Sequence, residues 1–425
     1  MPAQTVLFDV NIDNSSNQFV AVGAATRNQR SLDGETWISN TLTAFPVLSS
    51  LSYGLGILVA TGQTVNTANM IYTSASAENL AAWRNRVAPA TGIVNIGWQD
   101  IAFGNSTWVA VGGGVGTTIR TTATAVITST NSANWTLNNG LTAADWRCIA
   151  YGESKFVTLS YGSNLARYSS DGVTWSSGSG LPIGNWRSVV YDTVNSRFIA
   201  VAAQGIKVIA GTAACASLQF TSGTNTITRV TGSFITDGYL TGQQITISNT
   251  TSNNGTFTIT GTVNALTMTV TTALVNEGAL TSLATINSAA GGGTAYSDDG
   301  ITWTTGSPSS PLVGANWSSI DNNPNTGRSI AVSNDVVGQL VAYTDDGINW
   351  TSVTLPLIAT WRSISYGGNS DFSRWCIVPS NVANVAYSDD DGLTWSLGPS
   401  NNFAWEMVKW VPFPIHTNDT ITITR

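Results

Sequence analysis

Seven times along its length the chain writes a variation on one short phrase. The clear copies are Tyr168-Ser-Ser-Asp171-Gly172-Val-Thr-Trp175, Tyr296-Ser-Asp-Asp299-Gly300-Ile-Thr-Trp303, Tyr343-Thr-Asp-Asp346-Gly347-Ile-Asn-Trp350 and Tyr387-Ser-Asp-Asp390-Asp-Gly392-Leu-Thr-Trp395. A shorter copy is Ser31-Leu-Asp33-Gly34-Glu-Thr-Trp37, and two worn ones run from Tyr72 to Trp83 and from Thr128 to Trp135. The terminal tryptophans are 46, 52 and 40 residues apart from Trp37 to Trp175, then 47 and 45 apart from Trp303 to Trp395. Only the 128 residues from Trp175 to Trp303 break step. A fixed phrase at a fixed period means that one supersecondary unit is stacked again and again.

A period of about 40 to 50 residues is that of a four-stranded propeller blade. A second phrase alternates with the first and supplies the other strands. Trp98-Gln-Asp-Ile-Ala-Phe103, Trp146-Arg-Cys-Ile-Ala-Tyr151, Trp186-Arg-Ser-Val-Val-Tyr191 and Trp361-Arg-Ser-Ile-Ser-Tyr366 each lead through a turn into a second apolar run, such as Phe198-Ile-Ala-Val201. Each reads as a hairpin. Leu7 to Ile12 with Phe19 to Val22 fits the same frame. A blade is then strands A and B, strand C, the Asp-Gly turn, and strand D near Trp. The expected fold is all-β: a seven-bladed β-propeller, or eight blades with the last incomplete. A further A-like run, Trp405 to Val411, and Thr420-Ile-Thr-Ile-Thr are read as a C-terminal closing hairpin, because mixing strands from the two termini removes exposed edges.

The phrase has a structural chemistry. Gly tolerates positive φ, and an Asp carboxylate accepts nearby backbone N–H groups, so Asp-Gly makes a tight turn. The large indole anchors a core between neighbouring blades. Asp33, Asp171, Asp299, Asp346 and Asp390, with Trp37, Trp175, Trp303, Trp350 and Trp395, are therefore read as fold determinants rather than ligands. The phrase resembles the Asp-box, or BNR, repeat of sialidases and many non-enzymatic propellers, Ser-x-Asp-x-Gly-x-x-Trp. Ser388 to Trp395 matches it in full, and most other copies are one residue shorter. That resemblance implies a fold and leaves function open.

The extra residues make a separate unit. The expected organisation is residues 1–202 for blades 1 to 4 and half of blade 5, 203–293 for an inserted small β-sandwich or barrel in the B–C loop of blade 5, and 294–425 for the rest. Within the insertion, period-2 runs such as Gln244-Ile-Thr-Ile-Ser248 and Thr256-Phe-Thr-Ile-Thr260 alternate Thr with apolar residues. The phrase from Phe234 to Ser248 and then Asn253 to Ile259 is similar to small β modules of bacteriophage tail and particle proteins. In an up-and-down blade the B–C and D–A connections share one face, and the Asp-Gly turns lie on the other. The insertion and the longer D–A loops thus mark one face as the working surface.

That face is also where Arg147, Arg187 and Arg362 fall, each just after a Trp at the start of strand A. Their grouping resembles the arginine cluster with which sialidases hold a carboxylate, and Glu406 takes the equivalent place in a further repeat. The plainer account is that they hydrogen-bond loop carbonyls between blades. The sialidase Arg-Ile-Pro motif is absent, and no Tyr with an adjacent Glu can be placed as nucleophile and base. His416 is the only histidine, and Cys148, Cys215 and Cys376 show no metal or disulfide spacing, so no metal site, cofactor or histidine-dependent triad is expected. The net charge is −7 with 17 thinly spread basic residues, which argues against a nucleic-acid partner. No secretory leader and no apolar run long enough for a bilayer is visible. The expected function is a non-catalytic bacteriophage virion protein, structural or adhesive and not an enzyme. It would be made in the host cytoplasm and located in the particle, with other virion proteins and host surface glycan as partners and oligomerisation through assembly. The alternative is a sialidase-like glycoside hydrolase or carbohydrate-binding propeller.

Overall fold

The structure is a computed structural model. It describes residues 17–23, 27–41, 47–62, 71–74, 83–86, 97–113, 126–182, 184–203, 208–210, 218–230, 234, 244–261, 263–271, 273–278, 285–288, 293–308, 315–334, 340–368, 373–380, 384–400 and 405–411. Leu7 to Ile12, Cys215, His416 and Thr420 to Thr424 lie outside the described residues.

Among the described residues, strands gather into seven four-stranded antiparallel units. Their A strands are Trp405–Val411, Leu48–Gly54, Gly97–Gly104, Trp146–Gly152, Gly184–Asp192, Trp317–Asn322 and Trp361–Gly368. Each A strand packs beside that of the next unit, and the last returns to the first, so the ring closes. The closure corrects one expectation. The strand beside Phe19–Val22 in the first blade is Trp405–Val411, with Phe19 opposite Trp410 and Val22 opposite Met407. The A position expected for Leu7 to Ile12 is therefore filled from the far end of the chain. This pairing ties one terminal segment to the other and covers what would otherwise be the open edge of Gln18–Gly23.

The apolar residues divide into one core per blade interface. Trp303, for example, packs with Leu159 and Ala166 of the fourth blade and Trp186 and Ala295 of the fifth, and Trp395 packs with Ile330 and Val341 of the sixth blade and Trp361 of the seventh. Trp37, Trp83, Trp135, Trp175 and Trp350 occupy the same place at the other five interfaces. A blade alone could not bury its faces, and the repeat is what makes a core possible. Close approach sets the glycine that ends several A strands. A Cβ on Gly104 would fall 2.0 Å from the Tyr151 ring of the next blade, and one on Gly152 would fall 2.1 Å from Tyr191.

The Asp-Gly turns share one pattern of carboxylate hydrogen bonds, to which some add a bond from the Trp indole. Asp171 Oδ1 accepts the N–H groups of Val173 and Thr174 and the Ser169 hydroxyl, while Trp175 Nε1 donates to the Gly172 carbonyl. Asp33, Asp299, Asp346 and Asp390 make the corresponding bonds, and Asn131 stands in for Asp in the third blade. The carboxylates are occupied within their own turns.

Cross-blade staples, which the sequence reading did not identify, hold the same face. Arg197, at the start of a B strand, pairs with Asp298 of its own blade, lies 4.7 Å over Tyr296 and donates to the Asp346 carbonyl of the next blade. Arg328 does the same with Asp345, Tyr343 and the Asp391 carbonyl, and Arg374 with Asp389, Tyr387 and the Asp33 carbonyl.

In the fifth blade, strand B ends at Ala203, opposite Asn185 of strand A, and strand C begins at Gly293, opposite Ala202 of strand B. The residues between form two sheets of their own. Gln244–Ser248 pairs with Gly255–Thr258 and Thr285–Ser288, and Thr226–Thr228 pairs with Gln219–Thr221 and Thr267–Thr269. Phe220, Ile227, Phe234, Ile245, Ile247, Ile259, Met268 and Ile286 make a core that contains no propeller residue.

Candidate functional site

Every A strand carries a register shift just after its first large residue. A bulge of this kind re-aims one side chain out of the ladder. The residues at that position are Ser49, Gln99, Arg147, Arg187, Ser318, Arg362 and Glu406, and all seven line one cavity of about 80 Å³. The next residue of most A strands forms a second ring: Ser50, Asp100, Ser188, Ser319, Ser363 and Met407. The periodic bulge thus builds a site at the end of the ring from which the insertion departs.

The structure brings the three sequence-predicted arginines to this one cavity but gives them different charge environments. Arg147 makes a two-point pair with Asp145, 2.9 Å at each contact, and both side chains are almost wholly buried. It also donates to Gln99 Oε1 at 3.3 Å. Arg362 pairs with Glu406 at 2.6 and 2.7 Å. Arg187 has no carboxylate partner among the described residues. Its guanidinium lies 4.9 Å over the Tyr161 ring, with that of Arg147 at 5.1 Å from the same ring. Burial, and then the positive charges of Arg147 and Arg362, pull Arg187 below the ordinary guanidinium range, and Tyr161 opposes them. Two of the three cations are thus neutralised in place, and one is not.

Below the mouth, two buried acids stitch strands together. Asp100 accepts the Ser50 hydroxyl at 2.5 Å and the N–H groups of Ile101 and Ile149, each at 2.9 Å. Burial nevertheless pushes its pKa up. Asp321 accepts from Ser365, from the Tyr366 N–H and from Lys409 Nζ. Tyr151, Tyr191 and Tyr366 pack against Phe156, Phe198 and Trp375, away from the mouth. The Cys148 and Cys376 thiols are buried and pushed upward by that burial. Among the described residues no group of three His, Cys, Asp or Glu could hold a metal ion, and no helix is long and apolar enough to cross a membrane.

No family model and no curated protein matches the chain. Solved structures do resemble it. A protein from Lactobacillus plantarum aligns over 93% of this chain and 99% of its own at 11% identity, with a TM-score of 0.52. A putative 6-phosphogluconolactonase from Bacteroides uniformis aligns over 93% and 100% at 9% identity, with a TM-score of 0.51. A YCF48 bound to a D1 peptide aligns over 90% of each chain at 13% identity, with a TM-score of 0.49. At such identities the likeness concerns the fold alone, and in fold the chain is an all-β propeller.

Proposed function

We propose that the chain is a non-catalytic recognition propeller of the Asp-box type, a component of a bacteriophage particle. It would contact a partner protein or host glycan through the face that carries the insertion and the arginine-lined mouth. The observation that carries the non-catalytic reading is the pairing of Arg147 with Asp145 and of Arg362 with Glu406. A three-arginine clamp for a substrate carboxylate needs three available guanidiniums, and here two already hold a carboxylate of the chain itself. The asymmetry of the two faces supports the choice of working surface. One face is closed by turns and staples that repeat from blade to blade. The other combines a bulge-built cavity with an added domain, and variable connections on a rigid scaffold are where recognition concentrates.

The test has two arms. Hydrolysis of a fluorogenic sialoside is expected to be absent, and hydrolysis that disappears in Arg187→Ala would establish the enzyme reading instead. In a host-cell or particle-binding assay, Val230→Glu with Leu266→Glu, two exposed positions of the insertion, should weaken binding. Leu32→Glu with Val173→Glu, exposed on the turn face, should not. Loss of binding only in the turn-face pair would overturn the assignment of the working surface.

A further inference from the structure

The cavity wall contains hydrogen-bond donors that none of the described residues satisfies. Most serines there have committed their protons. Ser49 donates to the Trp98 carbonyl at 2.8 Å, Ser318 to the Trp361 carbonyl at 2.9 Å and Ser50 to Asp100 at 2.5 Å. Ser363 donates to Met407 Sδ at 3.2 Å. Ser188 and Ser319 are different. Each accepts a backbone N–H from the next blade, of Ile320 at 3.3 Å and of Ile364 at 3.4 Å, and neither hydroxyl proton has an acceptor among the described residues. They stand on the A strands of the fifth and sixth blades, which pack side by side. Arg187, next to Ser188, is the one mouth arginine without a carboxylate partner among the described residues.

The local sequence explains that exception. Asp145 stands two residues before Arg147 and neutralises it, whereas the same place before Arg187 holds Asn185. The two acids in the wall are occupied as well: Glu406 by Arg362, and Asp100 by Ile101 of its own strand and by Ser50 and Ile149 of the A strands on either side. An uncompensated cation and two idle hydroxyls around a small cavity form a donor set that lacks only its acceptor. A partly buried donor left unmade costs free energy, and an anion with several oxygens satisfies all three at once.

We propose that this cavity binds one small oxyanion, with Arg187 supplying the charge and the hydroxyls of Ser188 and Ser319 supplying two further donors. At roughly 10–15 Å³ of such volume per water, a cavity of about 80 Å³ has room for a compact anion in place of a few waters. The shared chemistry is that of a carboxylate or an inorganic oxyanion. The site does not depend on which macromolecule the surrounding face meets, so its test stands apart from the one above.

The experiment is isothermal titration of the full-length chain with sodium acetate, sodium phosphate and sodium sulfate in turn, at constant ionic strength set with sodium chloride. At least one should bind saturably with a stoichiometry near one. Saturation by acetate alone identifies a carboxylate site, and saturation by phosphate or sulfate an inorganic oxyanion site. Arg187→Gln should weaken that binding tenfold or more. Asn185→Asp, which supplies Arg187 with the carboxylate that Arg147 already has, should do the same without removing the cation. Ser188→Ala with Ser319→Ala should weaken it several-fold. Melting temperatures without anion report whether each variant is folded, and the three designs perturb the wall differently, so the loss of one leaves the others to decide. No saturable binding of any of the three anions by the parent protein overturns the proposal, and so does undiminished binding in any folded variant.

Discussion

Trp303 should matter more to stability as a shape than as a hydrogen-bond donor, and two substitutions separate these contributions. Its side chain is 3% exposed and lies in the core between the fourth and fifth blades. Its Nε1 is buried with no acceptor among the described residues. Trp395 fills the same place between the sixth and seventh blades, but its Nε1 donates to the Gly392 carbonyl at 3.1 Å. Truncating a buried Trp to Ala costs roughly 3–5 kcal/mol, because the lost transfer energy is joined by a cavity that the neighbours fill only in part. About 330 residues lie outside positions 203–293, which gives an unfolding entropy near 0.7 kcal/mol/K for the propeller. Trp303→Ala should therefore lower its melting temperature by about 4–7 °C. Trp303→Phe removes less volume and breaks no hydrogen bond. Trp395→Phe removes the same volume and also strands a carbonyl, for an additional cost of about 1 kcal/mol. Differential scanning calorimetry of the parent and the three variants reads these differences in the propeller transition. A Trp303→Ala protein melting with the parent would show that this indole is no core anchor. A Trp303→Phe protein less stable than Trp395→Phe would refute the assignment of the donor.

Two further outcomes follow from the same geometry. Removing residues 204–292 and joining Ala203 to Gly293 through a short Gly/Ser linker should leave a soluble, cooperatively melting propeller. The strand ends are already adjacent, the excised residues have their own core, and loop length changes closure entropy by only about 0.6 kcal/mol per doubling; insoluble or non-cooperative protein would refute independence. The Asp-Gly turns should weaken in acid. Burial pushes Asp33, Asp171, Asp299, Asp346 and Asp390 up, but backbone N–H groups and side-chain hydroxyls outweigh it and hold each below the usual carboxylate range. A depressed folded pKa contributes stability above the unfolded value, about 3.9, and loses it as pH falls through the folded one. The urea midpoint should thus drop as pH falls from about 4 towards 2.5. Asp100 has the opposite sign, since burial raises its pKa and its contribution fades as pH rises. A midpoint that stays flat down to pH 2.5 would show that the turns do not carry this linkage.

The fold was legible because blade, turn and anchor repeat in phase. Asp-Gly and Trp recur where backbone and inter-blade space demand them, so a period of about 45 residues carried the architecture without any single strand needing to be certain. Ring closure was only half legible. Trp405 to Val411 has the A-strand pattern, but Leu7 to Ile12 fits that pattern equally well, and periodicity cannot say which of two matching segments pairs with Phe19 to Val22. The staples are present in the sequence only as a correlation between distant positions. Blades with an extra acid before the turn, Asp298, Asp345 and Asp389, have Arg197, Arg328 and Arg374 at the start of strand B, while the fourth blade has Ser170 there and Lys155. The mouth shows the same lesson at higher resolution. Position alone groups Arg147, Arg187 and Arg362, but charge balance separates them, and it is set two residues upstream for the first and one blade away for the last. Asp145-Trp-Arg147 declares its partner within the strand, Asn185-Trp-Arg187 declares that it has no acid there, and Thr360-Trp-Arg362 is silent until Glu406 is brought alongside by the closing strand. A repeat protein repeats its scaffold, so a site is best sought where one copy breaks a rule that its neighbours keep. In this ring that place is Arg187.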